Sequence, residues 1–286
     1  MKKIVIIGNS AAGIAAAEAI RDKNKESSLT IVTSEPFLAY ERSKLLDFLE
    51  GKTKEQDLYF RNQDFYKNNA IELILGKEVV ALNISKKKVI FKEKDFVDFD
   101  ALIIAAGCRV PRPAIKGTQK EGVVTFNSLS DAKFLVENLP IAHTVVMVGS
   151  DRVAVALARL IAAKKIEVKF FGSLSEPIPG VDVISDNPIT EILGDSDAKA
   201  VRLSNNKVIG ASIIIFTSPR KPCINFLEGA EIKKNKGILV DAQMCTNIPF
   251  VYAAGDVCEF TDKEKICNWQ NAQLEGQIVG GIVCQT

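Results

Sequence analysis

Histidine is almost missing from this chain: His143 is the only one in 286 residues. A Ser-His-Asp or Cys-His nucleophile would have to use that one imidazole. It sits just before an apolar run, where a strand-edge surface residue is expected, so hydrolase chemistry of that type is disfavoured. The six cysteines, at 108, 223, 245, 258, 267 and 284, include no C-x-x-C pair. Neither a disulfide framework nor a structural zinc site is expected from that spacing, and no metal site is assigned. Cys258 and Cys267 are read as ordinary thiols. No apolar run comes near 18 residues and the mean hydropathy is only +0.10, so no transmembrane helix is expected. Charge of one sign is lacking too. Lys and Arg number 37 against 35 for Asp and Glu, a net +2, which is no field for holding nucleic acid by its phosphates. The apolar start, Lys3 to Ile7, is too short for a signal peptide and runs into a glycine turn, so a cytoplasmic location is expected.

What is present is ordinary globular composition, 47% hydrophobic and 25% charged, in a length that suits about two domains. Residues 3–7, apolar throughout after Lys3, form a short run with the pattern of a strand buried on both faces. A glycine turn and an Ala-rich helix from Ile14 to about Arg21 follow, then a strand over 29–33. Helices are predicted over 37–50 and 57–68, short strands over 71–75, 78–84 and 88–92, and an apolar strand over 101–105. The pattern then restarts after Pro111-Arg112-Pro113. A strand over 143–148 ends at Gly149, a helix covers 152–163, and a strand covers 166–171. Residues 173–188, rich in Ser, Pro and Gly, read as loop. Strands near 199–203, 207–209, 212–217, 238–240 and 250–253 and a final helix over 269–284 complete the pass.

The first glycine turn, Gly8-Asn9-Ser10-Ala11-Ala12-Gly13, lies between a strand and a helix, and Glu35 follows 22 residues after Gly13. That context is the one in which a pyrophosphate sits on a helix N-terminus. Gly8 permits the tight turn, Gly13 lets helix and strand pack closely, and Ser10 is small enough for close approach. The amides of the first helical turn, at Ala11, Ala12 and Gly13, would face the phosphates. Glu35, or its neighbour Ser34, would accept hydrogen bonds from ribose hydroxyls.

Four motifs together resemble the two-dinucleotide-fold flavoproteins of the pyridine nucleotide–disulfide oxidoreductase superfamily, and the resemblance spans nearly the whole chain. They are Gly8–Gly13 with Glu35; Glu35-Pro36-Phe37-Leu38-Ala39-Tyr40-Glu41-Arg42, similar to an E-P-x-x-x-Y-x-R loop; the strand ending Ala105-Ala106-Gly107 with Pro111 beyond it; and Ala253-Ala254-Gly255-Asp256 with Trp269 downstream. The nearest branches are the NADH:rubredoxin reductases, the ferredoxin reductases of oxygenase systems and the N-terminal module of assimilatory nitrite reductases. The resemblance implies an α/β chain of two three-layer Rossmann-like domains. The FAD domain would be discontinuous, 1–110 with 226–286, and 111–225 would form a degenerate NAD(P)H-binding-like domain. It further implies that Asp256, after Gly255, holds the ribityl or pyrophosphate region. Arg42 would lie near the flavin or pyrophosphate, Val79 or Val80 would contact adenine through backbone groups, Ala105 and Ala106 would line the site, and Gly107 would permit the exit from the strand. Trp269 would lie by the isoalloxazine. No side chain is assigned as catalytic, because the flavin is the redox centre.

The second glycine turn departs from that family. In Gly149-Ser150-Asp151-Arg152-Val153-Ala154, Asp151 stands where the middle glycine is expected and Ala154 where the third is. Ala156 replaces an expected Glu, and Phe170-Phe171-Gly172 leaves no ribose acid. NAD(P)H use is therefore doubtful. No redox cysteine stands in the first helix or near Ser43, and no C-terminal interface domain is expected after the last helix. The expected activity is an FAD-dependent oxidoreductase passing electrons between its flavin and a redox protein of the iron–sulfur or rubredoxin class, as a subunit of a complex or alone. The alternatives are an ordinary NAD(P)H-dependent reductase and a non-catalytic FAD-bound scaffold.

Overall fold

The computed structural model describes residues 1–261 and 265–285. In chain order its main elements are β1 (Lys3–Ile7), α1 (Ala11–Lys23), β2 (Ser28–Val32), α2 (Leu45–Glu50), β3 (Ile71–Ile74), β4 (Ala101–Ile104), β5 (Val123–Thr125), α3 (Leu129–Asn138), β6 (Thr144–Val148), α4 (Arg152–Ala163), β7 (Glu167–Phe171), β8 (Val181–Val183), β9 (Ile213–Phe216), β10 (Val251–Ala253) and α5 (Trp269–Val283). The chain divides into two compact units. The first is Met1–Glu41, Tyr59–Cys108 and Pro222–Thr286; the second is Arg42–Leu58 and Arg109–Lys221.

The first unit carries a five-stranded parallel sheet in the order β10-β4-β1-β2-β3. Every residue of β4 and all but the first of β1 are buried. Successive strand side chains point to opposite faces, so both faces must be covered. Helices α1 and α5 pack on each other, and an antiparallel meander of Val79–Asn83, Lys88–Phe91 and Phe96–Asp98 contributes Leu82, Val89 and Phe91 to the same core. The result is a three-layer α/β unit.

The second unit repeats the plan. Its parallel sheet runs β8-β7-β6-β9-β5, and its meander is Ile189–Leu193, Ala200–Leu203 and Val208–Gly210. The fifth strand comes from the chain's C-terminal part in the first unit and from β5, ahead of the glycine turn, in the second.

Several segments differ from the sequence pattern. Residues 37–41, expected to be helical, form an irregular stretch with one bridge, Tyr40 to Tyr59, and the helix begins only at Leu45 after one 3-10 turn. Strand β8 lies inside the stretch expected to be loop, paired to β7 through Val168–Val181. Segment 42–58 belongs to the second unit rather than to the first. A six-residue helix cannot bury its own apolar side chains, and Leu45 and Leu49 are buried while α2 packs against α3 and α4. The Lys133 ammonium also pairs with Glu55 at 2.8 Å.

Helix α5 docks on α1 through glycines. A Cβ at Gly276 would lie 2.3 Å from the Ala12 carbonyl oxygen, and one at Gly280 would lie 2.5 Å from that of Ala16. Gly281 faces only the flexible end of Lys23. Adjacent glycines of one helix should therefore answer oppositely to the same change. Gly280→Ala is expected to destabilise by about 1–3 kcal/mol through overpacking. Gly281→Ala is expected to stabilise by up to about 1 kcal/mol through helix propensity. Urea unfolding of the two variants reads both signs.

Candidate functional site

The residues singled out in the first unit gather at one edge of its sheet. The Gly8–Gly13 turn follows β1, the Ser34–Tyr40 loop follows β2, Ala105–Gly107 follows β4 and Gly255–Asp256 follows β10. These four strands are neighbours in the order β10-β4-β1-β2. Their carboxyl ends form the crevice where open α/β sheets bind ligands.

Close approach requires the glycines. Gly8 has φ +121°, and a Cβ there would meet the Ala105 carbonyl oxygen at 2.1 Å. A Cβ on Gly13 would sit 1.9 Å from the Gly8 carbonyl oxygen. Ser10 is the N-cap residue of α1, in extended conformation, and its side chain makes no capping hydrogen bond. The first-turn amides thus receive no capping bond from the turn itself, although a helix start leaves its first donors without intrahelical partners. Ala11, Ala12 and Gly13 are buried.

The loop after β2 is held from two sides. The Tyr40 hydroxyl donates to Glu35 Oε2 at 2.6 Å, and the Tyr66 hydroxyl donates to Asn9 Oδ1 at 2.9 Å while accepting from the Ala39 amide at 3.2 Å. Asn9 Nδ2 donates to the Phe37 carbonyl at 3.4 Å. Burial raises the Tyr66 hydroxyl's pKa above its ordinary value, which keeps it a proton donor. Ser34 is exposed and Glu35 half-buried. Trp269 opens α5 and packs edge-on against Phe60, ring centroids 5.2 Å apart, and the Phe60 amide donates to the Ala39 carbonyl at 3.0 Å. That chain of contacts sets Trp269 beside the same loop.

Gly255, at φ +80°, donates its amide to Glu275 Oε2 at 2.7 Å. Glu275 is buried and paired with Lys265 at 2.7 Å, both side chains being 10% exposed. This pair fixes the turn that presents Asp256, whose carbonyl accepts from Cys108 Sγ at 3.1 Å. Tyr40 and Asn9 lie inside motifs already noted, whereas Glu275 and Tyr66 carry no chemistry-bearing signature in sequence, since each acts through a residue distant along the chain. The meander supplies Val79 and Val80. The register shifts between Val79 and Ala81, so Val80 is the extra residue of a β-bulge and is exposed. Arg42 lies in the second unit, where its Nη1 donates to the Asn127 carbonyl at 2.5 Å.

The corresponding edge of the second unit is built differently. Asp151 is the N-cap of α4, and its Oδ1 accepts from the Ala154 amide at 2.7 Å. The Ser150 amide donates to Ser218 Oγ at 3.0 Å. A Cβ on Gly172 would lie 1.9 Å from the Gly149 carbonyl oxygen, so no side chain can be added there to supply a ribose acid. None of the six cysteines forms a disulfide. Cys258 is buried, and burial pushes its thiol pKa far up. Among the described residues no group of three or more His, Cys, Asp or Glu is placed to hold a metal, and no helix is long and apolar enough to cross a membrane.

Comparison with known proteins agrees with this plan. Human apoptosis-inducing factor 3 is 27% identical over 302 residues, covering 96% of this chain and 49% of that protein. The nitrite reductase [NAD(P)H] of Bacillus subtilis is 27% identical over 279 residues, covering 90% of this chain and 34% of its own. The chain thus spans half or less of the length of these relatives. The putidaredoxin reductase in its covalent complex with putidaredoxin superposes with a TM-score of 0.87 at 21% identity, covering 100% of this chain and 76% of that one. The family model described as pyridine nucleotide-disulphide oxidoreductase matches residues 2–276, and the chain belongs to that family.

Proposed function

We propose that the chain is an FAD-dependent oxidoreductase that exchanges electrons with a redox protein of the iron–sulfur or rubredoxin class, in the cytoplasm. The observation that carries the reading is the uncapped start of α1 beside Gly8, Gly13 and Gly255, at the joined ends of β1, β4 and β10. Donors that the turn leaves uncapped, glycines that admit no Cβ and a carboxylate on the next strand end are the features a dinucleotide's pyrophosphate and ribose require. The names of two relatives point to the partner class: the rubredoxin-NAD(+) reductase of Pseudomonas putida, 25% identical over 308 residues, and the ferredoxin–NAD(+) reductase component of a Paraburkholderia xenovorans biphenyl dioxygenase system, 24% identical over 297.

In this reading the amides of Ala11, Ala12 and Gly13 donate to the pyrophosphate, and Ser10 leaves them open to it. Glu35 accepts from ribose hydroxyls. A carboxylate offers about four acceptor sites, so the Tyr40 hydroxyl orients the group without exhausting it. Backbone groups of the bulge at Val79 and Val80 meet the adenine. Ala105, Ala106 and Gly107 form a floor without bulky side chains, Asp256 binds the ribityl or pyrophosphate region, and Trp269 shields the ring from water. Bound FAD supplies the redox chemistry, and the protein orients it and sets its electrostatics. Arg42 stands in the second unit with its Nη1 on the Asn127 carbonyl, which uses one of the five N–H donors of a guanidinium.

The purified chain should be yellow and release FAD, not FMN, on denaturation. A reduced iron–sulfur protein added without oxygen should bleach its visible flavin spectrum. A colourless protein, or released FMN, overturns the reading. Gly13→Val should abolish flavin retention, since its side chain cannot fit against the Gly8 carbonyl. Glu275→Ala should release the Gly255 amide and strand Lys265. Breaking a buried pair costs about 3–5 kcal/mol, so flavin content should fall steeply. Glu275→Gln, which keeps an acceptor for Gly255, should retain more flavin than the Ala variant. Flavin absorbance per chain ranks the two. Replacing Cys108, Cys258 and Cys267 together should leave flavin content and electron transfer in place. Loss of flavin reduction in a folded triple variant would reveal a thiol relay.

A further inference from the structure

The two glycine turns stand at equivalent places in two units of the same plan, which makes each a control for the other. Ser10 and Asp151 hold the same position, the N-cap, two residues after Gly8 and Gly149. The Ser10 side chain caps nothing. The Asp151 carboxylate accepts from the Ala154 amide at 2.7 Å, the amide equivalent to that of Gly13. The Ser150 amide is also taken, by Ser218 Oγ at 3.0 Å. Two donors at the second turn therefore already have partners from the chain itself, and one of those partners is an anion at the positive end of a helix. A cleft of about 670 Å³ opens here, lined by Ser150, Asp151, Arg152, Arg159 and Ser173 among others. A nucleotide would find room, so volume is not what excludes it. Arg159 is paired with Glu176 at 2.9 Å and Arg152 is exposed to solvent, whereas Asp151 is half-buried at the turn.

The geometry points to Asp151 as a built-in substitute for phosphate: its carboxylate closes the second turn against the pyrophosphate of a nicotinamide dinucleotide. To bind, the pyrophosphate would have to displace the carboxylate from the Ala154 amide and then lie beside its charge. The residues of the second unit thus do not fit NAD(P)H. As far as it bears on the electron donor, this inference rests on the flavin reading: electrons reach the flavin from a redox protein and not from a pyridine nucleotide. The closing of the turn itself does not depend on flavin.

The test is calorimetric titration of NADH and of ADP-ribose into the purified full chain, into Asp151→Ser, which reproduces Ser10, and into Asp151→Asn, which keeps an acceptor for the Ala154 amide and drops the charge. Thermal unfolding checks that each variant is folded, and flavin absorbance is read on each. Wild type should show no saturation below the millimolar range. Asp151→Ser should bind both probes at least about tenfold tighter, the effect of about 1.4 kcal/mol. Asp151→Asn should gain less, because its cap remains. Micromolar binding by wild type overturns the inference, and so does a folded Asp151→Ser protein that binds no better than wild type. A colourless wild type whose Asp151→Ser variant gains ADP-ribose affinity would sink the flavin reading and leave this one standing.

Discussion

An α-helix begins with amide donors that have no partner within the helix, and both glycine turns of this chain are answers to that constraint. At α1 the side chain at the N-cap leaves the donors alone; at α4 a carboxylate takes one of them. Everything around the first turn serves to bring backbone close to the helix start. Gly13 sets the helix against the strand, Gly8 passes under the Ala105 carbonyl, and Gly255 comes against Ala12, its absent Cβ 3.0 Å from that of Ala12. Around the second turn similar contacts enclose a helix start whose charge is balanced from within.

The first unit is assembled from three separated stretches of chain, and small residues hold them in register. Helix α5 returns the C-terminal stretch to α1, and only glycine at 276 and 280 lets the two backbones approach so closely. This docking positions Trp269 at the start of α5 and Glu275 further along the same helix, where its carboxylate reaches the Gly255 amide. The Gly255–Asp256 turn is thus positioned by a helix that follows it in sequence.

Much of this was legible without coordinates. The apolar runs at 4–7 and 101–105 became interior parallel strands, because a strand covered on both faces is apolar at successive positions. The four motifs fall on neighbouring strand ends, as ligand chemistry at a sheet edge demands. Other elements were less visible. Helix α3 begins with a capping box between Ser128 and Asp131 and buries Leu129, Ala132 and Leu135 at helical spacing, a signal present in the sequence but not among the predicted elements. Strand β8 is short and lies among prolines and glycines, and the pairing with β7 decides it. Segment 42–58 follows apolar partners in the second unit although its sequence adjoins the Glu35–Tyr40 loop.

The sequence by itself determined what depends on near neighbours: the strand–turn–helix units, the glycines where no Cβ fits, and an aspartate three residues before an amide it can cap. Asp151 reaches Ala154 because an N-cap side chain and the third residue of its helix are always adjacent. Tertiary structure decided what depends on residues far apart in the chain. The Ser150 amide finds Ser218, the Gly255 amide finds Glu275 and the Tyr66 hydroxyl finds Asn9 only after the sheets have formed. A hydrogen bond needs its partners within about 3 Å, and at separations of 68, 20 and 57 residues along the chain only the packed core sets that distance.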